Sequence, residues 1–194
     1  CLNSIQYYTA QNEADTASAY LTKFSRLIRL VLENSRSEKV TLTNELETLR
    51  LYIEMEAMRF QQKVHYQINV ASEVDIDTIQ IPPLLVQPFV ENAINHGIKY
   101  LGEQEKGQLQ IDFTLENAYL SIRIEDNGIG IIESKRVKNK AVFKHNSLGM
   151  NITYDRIELI NENFNTKILC EITDKSELTP PERGTLVHIK IPTH

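Results

Sequence analysis

Pro83-Leu84-Leu85-Val86-Gln87-Pro88-Phe89-Val90-Glu91-Asn92-Ala93-Ile94-Asn95-His96-Gly97 is the stretch from which the rest of the chain can be read. Leu85, Val86, Phe89, Val90, Ala93 and Ile94 form one apolar stripe at three-four spacing, which predicts a helix from Pro83 to about Tyr100. Glu91, Asn92, Asn95, His96 and Lys99 fall on the other side of that helix. Pro88 has no backbone N–H and should kink the helix or restart it. The polar side combines oxygen ligands for a hard cation with a base and a cation. On pattern alone a solvated helix face accounts for the cluster. Asn92 and Asn95 are nevertheless poor helix formers, and their place mid-helix asks for a reason.

Upstream, apolar residues recur at Ala17, Tyr20, Leu21, Phe24, Leu27, Ile28 and Val31, so Glu13 to Leu32 reads as a helix. A second helix starts near Thr43 or Asn44, either of which can cap it, with Leu46, Leu49, Ile53, Ala57 and Phe60 as its stripe. The polar stretch Asn34 to Lys39 joins the two into a helical hairpin. From Val64 the period changes to two. Val64–Val70, Leu109–Leu115, Leu120–Ile124, Ile168–Ile172 and Val187–Ile191 read as strands, with a turn at Glu116-Asn117. A further helix is expected from about Leu148 to Asn163. Strands mixed with helices predict an α+β domain, a layered sheet with helices on one face.

The chain has 194 residues, 41% of them hydrophobic and 24% charged, which excludes a largely disordered chain. A chain this long can bury roughly 70% of its unfolded surface, so a core needs no disulfides. The net charge of -5 argues against a nucleic-acid surface built on bulk basic charge. No apolar run approaches the ~18 residues of a membrane-spanning helix. Cys1 and Cys170 show no metal spacing, and a reducing compartment fits them best. The chain opens with Cys1 in a polar, helix-like stretch, so it is expected to be an excised piece of a longer protein.

Three further pieces bear on chemistry. Glu125-Asp126-Asn127-Gly128-Ile129-Gly130 closes a strand with glycines that allow close approach to a ligand. An ordinary Asn-Gly turn explains it equally well. It is not a dinucleotide fingerprint, because Glu133 stands where the third glycine belongs. Lys135 to Gly149 carries Lys135, Arg136, Lys138, Lys140, Lys144 and His145 without apolar periodicity, and reads as a mobile loop. Followed by Ser147-Leu148-Gly149-Met150 and a helix, it suits phosphate binding, although a solvated charged loop reads the same. Gly184-Thr185 then enters the last strand.

Taken in order, these pieces resemble the ATP-binding domain of the gyrase, Hsp90, histidine kinase and MutL superfamily, the Bergerat fold. Pro82 to Gly97 looks like the N box of LytS-type sensor histidine kinases, as does the helix ending Tyr52-Ile53-Glu54-x-Glu56-x-x-Arg59-Phe60. Cys1-Leu2-Asn3-Ser4-Ile5 resembles the continuation of that family's phosphoacceptor segment, His-Phe-Leu-Phe-Asn. The resemblance covers essentially the whole chain. It implies a two-layer α/β sandwich, with a mixed, largely antiparallel sheet, preceded by the helical hairpin. Residues 1–62 would be the remnant of the dimerisation and phosphoacceptor region, and residues 63–194 the catalytic domain.

The resemblance also implies roles. Asn92 would coordinate the Mg²⁺ that bridges the phosphates of ATP. Asp126 would accept a hydrogen bond from the adenine amine, with Thr185 in the same network. Gly128 and Gly130 would let the backbone pass the base and hinge the lid. Ser147, Leu148 and Gly149 would face the phosphates, with Asn95, His96 and Lys99 as further phosphate contacts. Glu91 would act as a base or orient a metal-bound water. Two positions depart from the pattern: Ser147 replaces the first of two glycines, and Asn95 stands where many histidine kinases have lysine.

The family's phosphorylated histidine would precede Cys1, so residues 1–194 are expected not to phosphorylate themselves. The implied function is transfer of the γ-phosphoryl of ATP to that histidine, for relay to the receiver domain of a response regulator. A homodimer and a cytoplasmic piece of a parent anchored in the cytoplasmic membrane are implied as well. The alternative is a degenerate nucleotide- or partner-binding module without transfer. An ATP hydrolase or serine kinase of the same superfamily would need a base one turn before Asn92, where Pro88 stands.

Overall fold

All five alternating stretches become strands of one sheet. The computed structural model describes residues 8–11, 13–60, 63–102, 104–140, 157–162 and 167–193. Helix α1 (Ala14–Asn34) is followed by the short strand β1 (Val40–Thr41) and helix α2 (Leu42–Arg59). Strands β2 (Val64–Val70) and β3 (Gln80–Ile81) precede helix α3 (Gln87–Asn92). Then come β4 (Gly107–Glu116), β5 (Tyr119–Asp126), helix α4 (Gly130–Lys140), β6 (Leu169–Asp174) and β7 (Thr185–Pro192).

The sheet order is β2-β4-β5-β7-β6, with β2 parallel to β4 and every other pair antiparallel. β1 pairs separately with β3. Leu109, Ile111 and Phe113 of β4, Leu120, Ile122 and Ile124 of β5, and Val187, Ile189 and Ile191 of β7 are buried on the inner face. Gln108, Gln110 and Arg123 alternate with them and are exposed. A pleated strand puts successive side chains on opposite faces, so helices cover only the apolar one. The expected two-layer sandwich is the architecture found.

Helix α2 closes that layer. Leu42, Leu46, Leu49 and Ile53 join the sheet residues in one continuous core with Phe89, Val90 and Ile94 of the α3 segment. The core therefore crosses the division expected at residue 62. A smaller cluster of Tyr8, Tyr20 and Leu27 against Leu51 and Met55 holds α1 on α2 as the expected hairpin. Buried Asn34 donates to the Thr48 hydroxyl at 3.1 Å, and Lys23–Glu54 and Arg26–Glu47 ion pairs bridge the helices.

Several local expectations are corrected. Helix α2 is capped by Thr41, whose hydroxyl accepts the Asn44 N–H, and not by Thr43 or Asn44. Pairing of β1 with β3 places Thr41 at the extended residue that a cap requires. The Thr43 hydroxyl is instead 2.6 Å from the Asp77 carboxylate. The turn after β4 is Asn117-Ala118, with φ of 48° and 67°. Ile168 is buried just before β6 starts. Pro88 opens α3 within its first two positions, where a missing N–H costs nothing, so the helix starts at Gln87 and not at Pro83. Beyond Asn92 it widens into a π-helical turn, Ala93–Gly97, and ends in a 3₁₀ turn, Ile98–Tyr100.

The cationic segment from Lys135 is helical through Lys140, not a loop. The Asp174 carboxylate, 42 residues away, accepts the Ile132 N–H at 2.8 Å and caps α4, which no local pattern announces. Residues 157–162 are helical, within the helix expected from Leu148 to Asn163. The remainder of that helix, Lys144 and His145 lie outside the described residues.

Candidate functional site

The sandwich leaves a cavity between α3 and the inner sheet face. Its floor and walls are apolar: Phe89, Ala93, Ile124, Ile131, Ile172 and Val187. Asn92 and His96 line it from α3 and the π turn, Asp126 and Thr185 from the adjacent ends of β5 and β7, and Gly130 with Lys135 from α4. An apolar slot with a few convergent polar groups is the usual form of a small-molecule site.

Asp126 is the best-defined polar group. Its side chain is 4% exposed, and Oδ1 accepts the Gly128 N–H at 2.7 Å. Burial pushes its pKa up to about 6, opposed by hydrogen bonds from Gly128 and Thr185 and by the charge of Lys175. The result is a fixed acceptor at the cavity's edge. Gly128 is required by proximity: a Cβ there would come 2.5 Å from the Gly97 Cα. The loop after β5 thus packs directly on the end of the π turn, and no side chain fits between them. Gly130 has φ +77°, which a side chain would strain, and lets the chain turn into α4 beside Asp174.

The structure brings Asn92, His96, Asp126, Gly130 and Thr185 to one cavity, with Gly128 folded beneath it. Glu91, Asn95 and Lys99 are not among the residues that line it. Glu91 Oε1 accepts from Gln87 Nε2 at 2.8 Å, and Asn95 is bonded to Arg59 and Tyr52 of α2. Lys99 lies 5.9 Å from the Tyr100 ring centroid. A helix has more than one polar side, and spacing alone does not say which side meets the sheet. Ser147, Leu148 and Gly149 lie outside the described residues. Lys135 and Ser134 are added to the site by α4. Lys135 was legible only as one cation among six. Asp174, which aims α4, had no local signal at all.

The comparisons with known proteins bear on the family and the fold. Residues 81–194 match the family model described as histidine kinase-, DNA gyrase B-, and HSP90-like ATPase, and residues 1–64 match the histidine kinase model. The chain belongs to the histidine kinase-, DNA gyrase B- and HSP90-like ATPase family. Within it, the chain is 30% identical over 179 residues to the sensor histidine kinase BtsS of Escherichia coli K12, covering 92% of this chain and 29% of BtsS. It is 32% identical over 173 residues to the sensor protein LytS of Oceanobacillus iheyensis, covering 86% of this chain and 28% of LytS. The chain thus spans less than a third of these curated relatives. The histidine kinase ThkA, solved in complex with the response regulator protein TrrA, shares the fold at TM-score 0.50 and 16% identity, covering 96% of this chain and 52% of that one. The ATPase family model implies ATP binding by residues 81–194.

Proposed function

We propose that this chain is the nucleotide-binding catalytic portion of a sensor histidine kinase. It would hold ATP with adenine in the apolar slot and deliver the γ-phosphoryl to a histidine upstream of Cys1, for relay to a response regulator. The supporting observation is Asp126: a buried acceptor, already fixed by Gly128, at the edge of an apolar slot that Asn92 enters from the other side. Adenine offers a flat apolar body with one edge amine, which matches that slot and that acceptor.

In this reading Thr185 steadies Asp126, and Gly128 and Gly130 shape the backbone around the base. His96 and Lys135 line the phosphate side. Asn92 offers a hard amide oxygen of the kind Mg²⁺ takes when phosphates and water supply its other ligands. Bound there, the ion would neutralise charge on the phosphates. Glu91, Asn95 and Lys99 are given no phosphate contact, because their partners lie on α2 or within their own segment. Ser147, Leu148 and Gly149 are proposed to face the phosphates.

Of the five histidines, His65 and His188 sit on strands and His96 lines the cavity, while none lies in α1 or α2. Residues 1–194 are accordingly proposed to need an acceptor histidine from elsewhere in the parent protein. A homodimer is proposed through α1, where Leu21, Ile28 and Leu32 form an exposed apolar row. Among the described residues no helix is long and apolar enough to cross a membrane. Anchoring in the cytoplasmic membrane is proposed for the parent on the strength of its sensor relatives.

Calorimetry tests the site. The parent chain should bind Mg·ADP, Asp126→Asn should weaken binding about tenfold or more, and Asn92→Ala should remove its Mg²⁺ dependence. An unpaired polar edge costs about 1–3 kcal/mol, roughly tenfold or more in affinity. A folded parent that binds neither ADP nor ATP overturns the proposal and leaves a partner-binding module as the better reading.

A further inference from the structure

The α3 segment has two polar sides. Asn92 and His96 line the cavity. Gln87, Glu91 and Asn95 recur every fourth residue, which puts them in one row, and Glu91 and Asn95 of that row act on Tyr52 of α2. In that row Asn95 Oδ1 accepts from Arg59 Nη2 at 2.6 Å, and Asn95 Nδ2 donates to the Tyr52 hydroxyl at 3.4 Å. Arg59 also pairs with Glu56 at 2.5 Å, and its guanidinium stands 4.6 Å from the Phe60 ring centroid. Burial, Glu56 and Glu91 push the Tyr52 phenol far above its ordinary pKa, so it stays neutral in that contact. The entry to α3 is gripped by the same helix: the buried Glu45 carboxylate accepts the Leu84 N–H at 2.8 Å and the Val86 N–H at 3.1 Å.

We infer that Arg59 is a positioning residue for phosphoryl transfer, acting through Asn95 on the turn that carries Asn92 and His96. The inference rests on the function proposed above. Asn95 stands inside the π turn Ala93–Gly97, three residues after Asn92 and one before His96. A π turn is a rare irregularity that is frequent at functional sites, and here side chains from α2 hold it. Arg59 supplies that support through one guanidinium nitrogen, Nη2, shared between Glu56 on its own helix and Asn95 on the other. Arg59 is not among the residues lining the cavity, and adenine would be held by Asp126 and Thr185 on the sheet. Loss of Arg59 therefore disturbs the phosphate end and spares the adenine end.

The step at stake is an in-line displacement. The lone pair of the acceptor imidazole nitrogen forms the new P–N bond, and the β–γ bridging oxygen leaves on ADP with its electron pair. The proton on the other imidazole nitrogen stays in place. Such a transfer depends on placement, and a displacement of about 1 Å costs on the order of a hundredfold in rate.

The test uses the full-length kinase with its acceptor histidine. Mg·ADP affinity, the KM for ATP and the autophosphorylation rate at saturating ATP are measured for the parent, Arg59→Ala, Asn95→Ala, Asn95→Asp and the double alanine variant. Both single alanine variants should bind ADP within about twofold of the parent and lose about tenfold or more in rate. The double variant should be no slower than the slower single one, because both remove one shared contact. Asn95→Asp, which keeps an acceptor for Arg59, should recover most of the rate. Unchanged rates, multiplying rate losses, or a loss of ADP affinity that parallels the rate would each overturn the inference. Weakened ADP binding by Asn95→Ala alone would return Asn95 to the phosphates. A parent that binds no ADP overturns the function reading itself, which separates the two failures.

Discussion

Asp126 makes the site sensitive to pH in a direction that can be worked out. Burial raises its pKa from 3.8 to about 6, so between those values the folded protein holds a proton that the unfolded chain has lost. Stability therefore falls as pH rises through that window and levels off above about 6. Relative to Asp126→Asn, the parent should lose on the order of 2–3 kcal/mol between about pH 4 and pH 7, read from urea unfolding midpoints. On the proposed reading nucleotide binding runs the other way, because the ionised carboxylate would be the stronger acceptor for the adenine amine. Mg·ADP affinity should be flat above about pH 7 and fall by up to roughly tenfold per unit below about 6. Calorimetry across that range checks it, and a flat profile down to about pH 5 would show that Asp126 does not meet the base.

Among the elements, the β4–β5 hairpin is the clearest case of a local rule met by an unfavoured residue. A two-residue connection of type I′ between antiparallel strands needs positive φ at both positions, which favours Asn-Gly. Here Asn117 has φ 48° and Ala118 has φ 67°, and alanine is strained in that region. Ala118→Gly should stabilise the chain by about 1 kcal/mol, seen as a higher urea midpoint at unchanged slope, with nucleotide affinity unaltered. Periodicity made this hairpin and the other strands legible, since each buries one face against a single layer of helices. The order of Asn92, Asp126, Gly128-x-Gly130 and Thr185 likewise made one cavity legible before any contact was known. What periodicity hides is anything supplied from a distance. Asp174 caps α4, β3 sets the cap of α2, and Arg59 claims Asn95 away from the cavity. Each partner lies at least 36 residues along the chain from what it organises, outside any local window.

Across the whole molecule, α2 belongs to two structures at once. Its Leu42, Leu46, Leu49 and Ile53 complete the sheet core, and its Leu51 and Met55 hold α1. A fold assembled this way ties α1 to the sheet core through α2 itself. The surface left over on α1 is then telling. Leu21, Ile28 and Leu32 are 49%, 42% and 57% exposed, seven and four residues apart, and so lie in one row. Tyr20 and Leu27 of the same helix already face α2, so the exposed row is a second apolar face that the described residues leave uncovered. A twofold dimer buries such a row against its own copy. The parent chain should sediment as a dimer at about 100 µM, and Leu21→Glu/Ile28→Glu/Leu32→Glu should sediment as a monomer. Mg·ADP affinity should stay within about twofold in that variant, because the row lies on α1 and none of the three residues lines the cavity. A parent that is monomeric at that concentration, or a triple variant that still dimerises, would assign the row to a different partner and remove α1 from the dimer contact.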